Sequence, residues 1–348
     1  MNMDGVFTGA SIKRVVMIAL TALMLSSCSN VSGKPLHGFT FLQDSKITLD
    51  NPLSRESLRR MKQTGANAVV LVPFLRQSKI SSGEIGFSDA VTDHQLLTAI
   101  DNARRLNLKV ILKPQILVKY GWAGDIRFGS DVDEERWFVR YHDLLSYYAR
   151  LAQREHVDAL VIGTELTGIE TSQRWHGLIA DMRKIYRGRL TYAAHDVESV
   201  KRFIAWKDLD AVSVNLYPKL GDSMDPALIR EHVEASLAEL KQATQNLSRP
   251  VWVLEVGIPS AEGALRTPWD WYRLSEEGAK PDPEVQNIAI RQWLKALEKP
   301  WIDAVFIWCW YSDPYAGGID NNDYTLQNKP AEKQVNCLWG GDCIGIRQ

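Results

Sequence analysis

Cysteine is scarce in this chain and neither charge sign dominates. Four cysteines in 348 residues are too few for a disulfide scaffold, and 41 Lys+Arg against 42 Asp+Glu leave a formal charge of -1. With no basic surplus nothing points to nucleic acid, and with no acidic excess no part of the chain reads as a solvating tail. The apolar run near the N-terminus, Val15 to Leu25, has eleven residues, too few to span a bilayer as a helix. Several chemistries lack their signature. There is no G-x-S-x-G nucleophile elbow, no H-E-x-x-H zinc helix, no P-loop and no G-x-G-x-x-G dinucleotide turn. What is present is globular: 45% hydrophobic and 24% charged residues, without internal repeats or low-complexity stretches. Trp is unusually abundant, 12 against 11 Tyr and 9 Phe; its flat apolar face and polar edge suit sugar rings or wet interfaces.

Lys13 and Arg14 precede the apolar run, which ends in Leu25-Ser26-Ser27-Cys28. A charged start, a short apolar stretch and small residues before a Cys resemble the lipobox of bacterial lipoproteins, which implies cleavage before Cys28 and lipid on its thiol. Ser29 rather than Asp after that Cys implies, by the same resemblance, the outer membrane. Four segments follow: a signal peptide over 1–27, a lipidated tether over 28–36, a catalytic body over 37–330 and a C-terminal tail over 331–348. In an oxidising envelope Cys337 and Cys343 either close a small disulfide loop or stay as two free thiols.

Eight short, mostly β-branched apolar runs recur: 38–42, 68–72, 110–112, 159–162, 190–194, 211–214, 251–254 and 304–308. Their lack of alternation is that of strands buried on both faces. Segments of helical period separate them, at 54–64, 93–106, from Asp131 onward, 171–187, 200–206, 226–246 and from Asp282-Pro283 onward. An alternation of eight strands and helices closes most simply into a single (β/α)₈ TIM barrel, with an open doubly wound sheet as the alternative.

In such a barrel the reactive groups sit at the carboxyl ends of the strands. Those ends are polar here: Lys113 after the third run, Thr164-Glu165 after the fourth, His195 after the fifth, Asn215 and Tyr217 after the sixth, Glu255 after the seventh, Trp308 and Trp310 at the eighth. Glu165 and Glu255 terminate runs three steps apart around eight, which sets two carboxyls across one mouth. A glycosidase needs that pair, one protonated to deliver a proton to the leaving oxygen and one ionised at the anomeric carbon. Either Glu taken singly is read as a strand-end carboxylate in a salt bridge, with Lys113 as a partner.

The segments LKPQ (112–115), VIGTEL (161–166), YAAHD (192–196), VNLYP (214–218), VLEVG (253–257) and FIWCW (306–310) resemble the retaining (β/α)₈ glycosidases of clan A, and most closely glycoside hydrolase family 113, over about residues 38–330. That resemblance implies endo-acting hydrolysis of β-1,4-mannan, with Glu165 as acid/base and Glu255 as nucleophile. It further implies a hydrogen bond from Tyr217 to the nucleophile and a sugar-binding floor at Trp308 or Trp310. Thr164 stands where most of the clan has Asn against the sugar 2-hydroxyl, which puts mannose preference in question.

Other residues carry two readings each. Trp122 is a sugar platform or a loop anchor; Lys113 and His195 donate to sugar hydroxyls or orient a catalytic Glu; Asn215 binds sugar or satisfies a strand-end backbone group. Trp269 and Trp271 wall the cleft or fill their own loop's core. Asp313, Asp320, Asn321 and Asp323 fail the calcium-loop spacing, so no metal and no cofactor is expected. The expected partner is a polysaccharide or oligosaccharide, with membrane contact only through the N-terminal lipid. The rival readings are a glycosidase of the cell's own exopolysaccharide or biofilm matrix, a transglycosylase, and a non-catalytic carbohydrate-binding lipoprotein; the last predicts loss of Glu165 or Glu255.

Overall fold

The computed structural model describes residues 34–270 and 278–341. The segment read as a lipobox, with Cys28, lies outside the described residues, as do Trp271 and Cys343. From Pro35 onward the chain is one unit, and its frame is the expected barrel. Eight parallel strands close in the order β1 (Leu36–Leu42), β11 (Ile302–Tyr311), β10 (Val251–Val256), β9 (Val212–Leu216), β8 (Arg189–Ala194), β7 (Ala159–Thr164), β5 (Lys109–Leu112) and β2 (Ala68–Leu71).

Each strand divides its residues between two cores, and this explains the absence of apolar alternation in the sequence. In β2, Ala68 and Val70 fill the barrel interior while Val69 and Leu71 face the helices; in β10, Trp252 and Leu254 point in while Val251 and Val253 point out. The interior is closed by small residues of β7 and β8 around Trp252 and Phe306, a packed plug rather than a pore.

The helices are α1 (Pro52–Gln63), α2 (Asp93–Arg105), α3 (Asp131–Arg154), α4 (Arg174–Ile185), α5 (Val197–Arg202), α6 (Pro226–Thr244), α7 (Pro283–Leu297) and α8 (Pro330–Leu338). Local chemistry starts most of them. Thr92 and Gln95 form a reciprocal capping box on α2, and Asn51, Asp225 and Asp282 cap helices that begin with Pro. At α3 the cap is Ser130 rather than Asp131, its hydroxyl accepting from Asp133 N–H.

Two features depart from the sequence reading. Residues read as a tail form α8, whose Ala331 and Val335 are buried, and Trp339 beyond it packs edge-on to Phe39; Cys337 on α8 is disulfide-bonded. The second departure is a small sheet beyond the rim, in which β3 (Phe74–Lys79) lies between β4 (Ile85–Phe87) and β6 (Gln115–Tyr120). Pro73 and Pro114 break the ladders of the second and third barrel strands, since proline has no N–H to give, and the chain then continues as β3 and β6.

At the β1–β2 seam, Gly38 is required by space. A Cβ there would lie 1.9 Å from the Ala68 carbonyl oxygen, inside a backbone ladder that cannot yield. Gly38→Ala is expected to destabilise the fold by about 1–3 kcal/mol or more, as overpacking does, measured as a lowered denaturation midpoint. An unchanged midpoint would mean that the seam opens freely.

Candidate active site

The carboxyl ends of the strands surround a cavity of about 580 Å³ whose walls include Trp122, Glu165, His195, Tyr217, Glu255 and Trp308. Three local irregularities aim the side chains into it. Glu165 has φ 54°, a left-handed conformation that non-glycine residues adopt only when their surroundings impose it. The constraint here is visible: Glu165 N–H donates to the Ala193 carbonyl at 2.8 Å, and Leu166 N–H donates to the Tyr192 hydroxyl at 2.8 Å. Glu255 would face the helices by strict alternation after Leu254, but a register shift against β9 between Val253 and Glu255 turns it to the mouth. The third irregularity, a register shift in β11 opposite Thr40 and Phe41, separates the two candidate tryptophans.

That shift corrects one expectation. Period-two alternation puts Trp308 and Trp310 on the same face; the shift leaves Trp308 on the cavity wall and sends Trp310 outward. Trp310 is fully buried against Phe39, its indole N–H donating to Ser57 Oγ at 2.9 Å, and it cannot meet a substrate. The Trp308–Cys309 peptide is cis.

Each carboxyl has its own set of partners. Glu255 Oε1 accepts from Lys113 Nζ, and Oε2 accepts from the Tyr217 hydroxyl at 2.8 Å. Lys113 is completely buried, lies 5.1 Å from the centre of the Trp308 ring, and is committed to Glu255 rather than open to a sugar. Glu165 Oε1 accepts from Asn215 Nδ2 at 2.9 Å and makes an ion-pair contact with His195 Nδ1 at 3.1 Å. Asn215 therefore serves Glu165, not a strand-end backbone group. Thr164 is buried and absent from the cavity wall, so it makes no contact there with a sugar hydroxyl. Trp122 and Trp269 both reach the wall, Trp122 edge-on to His195 with ring centres 4.7 Å apart.

Burial acts to raise the pKa of Glu165, but His195, Asn215 and Lys113 outweigh it and hold that carboxyl below its ordinary value. For Glu255 burial prevails; Lys113 opposes it, the charge of Glu165 adds to it, and the group lies above its ordinary value. Burial also works against a charged His195, yet the contact with Glu165 raises its pKa. Tyr217, pushed far up by burial and then by the charge of Glu255, stays a neutral donor.

Gln115, Tyr311 and Tyr324 complete the wall and were not singled out from sequence. Gln115 is signalled only by its place at a strand end. Tyr324, in the loop after β11, has no periodic or motif signal at all; Tyr311 donates to Asp323 Oδ2 at 2.9 Å, a pairing visible only in three dimensions. Behind Glu165 lies a buried strut, also unforeseen. Tyr192, stacked on Phe203 with ring centres 4.2 Å apart, donates a hydrogen bond from its hydroxyl to Glu170 Oε1 at 3.2 Å, and Glu170 Oε2 accepts from Arg202.

The family model for Glycoside Hydrolase Family 113 matches residues 39–329. A GH113 beta-1,4-mannanase of known structure aligns with a TM-score of 0.78 at 26% identity, covering 88% of this chain and 99% of that one. The GH113 beta-mannanase from Alicyclobacillus acidocaldarius gives 0.79 at 24% identity, covering 88% and 98%. The b-glucuronidase from Ruminococcus gnavus shares the fold alone, at 0.58 and 12% identity, over 88% of this chain and 50% of that one. A comparison with curated proteins finds no match.

Tyr192→Phe removes only the hydroxyl that accepts from Leu166 N–H. An orphaned buried donor costs about 1–3 kcal/mol, so the variant is expected to unfold at lower denaturant by that amount. A midpoint equal to the parent's would show that Leu166 N–H finds another acceptor.

Proposed function

The chain belongs to glycoside hydrolase family 113, and from that membership we propose that it cleaves internal bonds of a β-1,4-mannan by double displacement, with retention of anomeric configuration. The observation that carries the reading is the pair of carboxyls at the ends of β7 and β10 in one cavity, each held by its own hydrogen-bonding partners.

In the first step Glu165 gives its proton to the glycosidic oxygen while a Glu255 oxygen attacks the anomeric carbon. The bond to the leaving sugar breaks, and an ester to Glu255 forms. In the second step a water loses its proton to Glu165 and displaces Glu255. Lys113 and Tyr217 keep Glu255 oriented and anionic when it leaves, and Trp308 floors the reacting sugar.

The resting polarity of the pair runs against this cycle, because Glu165 lies low and Glu255 high. His195 resolves the conflict. An imidazolium beside Glu165⁻ and a neutral imidazole beside Glu165–H differ only in where one proton sits, so the competent form is a tautomer of the resting ion pair. Substrate entry and loss of water favour the neutral tautomer, since separated charge is costly in a dry cavity. Activity is then lost on the alkaline side when the pair gives up that shared proton, a step governed by the raised pKa of His195.

Export as a lipoprotein anchored through Cys28 in the outer membrane is part of the proposal, resting on the Leu25-Ser26-Ser27-Cys28 sequence. Cys28→Ala is expected to move the protein from the membrane fraction of cells to the soluble one; equal partitioning would sink the anchor.

Reducing-sugar release from β-1,4-mannan by the protein from Ser29 onward tests the reaction, beside glucomannan, cellulose and acetylated exopolysaccharides. Glu165→Gln is expected to lower kcat by about 10²–10⁴-fold, and Glu255→Gln to abolish turnover, with NMR of the first product showing the β anomer. An initial α product, or turnover that survives Glu255→Gln, would refute double displacement at this residue. In His195→Gln the alkaline limb of the pH profile is expected to move to lower pH, because the proton then resides on a carboxyl alone; a limb that stays in place would remove His195 from the acid/base step.

A further inference from the structure

The cavity continues beyond the two carboxyls. A second lobe of about 360 Å³ shares His195, Tyr217 and Trp269 with it and extends along the ends of β8 and β9 to α5 and α6. Chemistry fixes which sugar belongs there. His195 and Asn215, on the lobe's inner wall, are the two residues that hold Glu165, and the oxygen that receives the proton of Glu165 is the leaving one. Trp308, by contrast, lines the first cavity alone.

The ionisable side chains of the lobe are Asp196, Glu198, Glu239 and His195, with Ser236 and Tyr217 adding hydroxyls. His195 is engaged with Glu165 and Tyr217 with Glu255, and the nearby cation Lys201 is paired with Glu198, so the charge left facing a sugar is that of the carboxylates. Deeper in, Asn215 is fully buried, and its Oδ1 has no hydrogen-bond partner among the described residues. Carboxylates and an amide oxygen accept protons and offer none. A sugar hydroxyl or an ammonium group satisfies them, whereas a uronic carboxylate brings no proton and a like charge.

We propose that this lobe is the leaving-group subsite and that it selects an uncharged or amino-bearing sugar over a uronic one. The inference rests on the hydrolase reading with Glu165 as proton donor. Three β-1,4-linked tetrasaccharides, identical except for a neutral, a 2-amino or a C6-carboxylate unit at the reducing end, test it through kcat/KM for release of that unit. The neutral and amino forms are expected to exceed the carboxylate form by about tenfold, the scale of one like-charge contact near a protein surface. In Glu198→Lys/Glu239→Lys that ratio is expected to fall towards one, and in Glu198→Gln/Glu239→Gln to fall part of the way. Equal rates on the three chains, or a ratio indifferent to both double variants, would overturn the proposal. If the neutral chain were not cut at all the hydrolase reading would fall, and calorimetric affinities for the same three chains would still decide whether the lobe discriminates by charge.

Discussion

The mouth of this barrel is organised by the cost of placing two largely buried carboxyl groups in one cavity. Two adjacent anions cannot both be ionised there without compensation, and the compensation is built into neighbouring strands. Lys113, with no exposed surface at all, supplies the positive charge at Glu255. A buried ammonium is itself costly unless paired, so lysine and carboxylate require each other, and Lys113 is unavailable to substrate for that reason. A hydrogen bond from Asn215 and an ion-pair contact with His195 then fall to Glu165, and a hydrogen bond from Tyr217 to Glu255, and this inequality makes two chemically identical side chains into different acids.

The backbone irregularities belong to the same constraint. A regular strand offers one inward residue in two, yet the site needs Glu255 next to the inward Leu254, and Trp308 without Trp310. Register shifts in β10 and β11 provide both. At Glu165 the aiming is done by a left-handed residue, held in place through the hydroxyl of Tyr192 and the buried carboxyl of Glu170. Burial raises the pKa of Glu170, but Arg202, Ser199 and Tyr192 act in the other direction. The strut thus repeats, one layer back, the pairing of buried carboxyl and cation seen at Glu255.

How much of this was legible in the sequence follows from the range of each interaction. Strands buried on both faces announce themselves as apolar runs, and all eight were found because two cores impose the same composition on every one. Glu165, Glu255, His195 and Tyr217 were legible as polar residues at strand ends, and Lys113 was legible as a salt-bridge partner of a strand-end Glu. Trp310 misled because alternation cannot register a one-residue shift. Thr164 misled because a motif position does not say which way a short side chain points. The rim sheet escaped notice since β3 and β6 pair across about forty residues, and Tyr324 since it arrives from a loop with no period.

The unequal treatment of the two carboxyls also gives the cleft a direction. The groups that tune Glu165 are wall residues of the second lobe, so on the proposed assignment a sugar held in that lobe lies beside His195. Occupation by a hydroxyl-rich ring displaces water from beside the His195–Glu165 ion pair, and in the drier cavity the pair is favoured to collapse to neutral imidazole and carboxylic acid. Glu255 keeps Lys113 and Tyr217 throughout, so in the proposed mechanism the same event leaves it ionised. In the proposed mechanism, binding of the leaving-group sugar and arming of the acid are then one process, and a substrate that fills only the Trp308 side leaves the proton on His195.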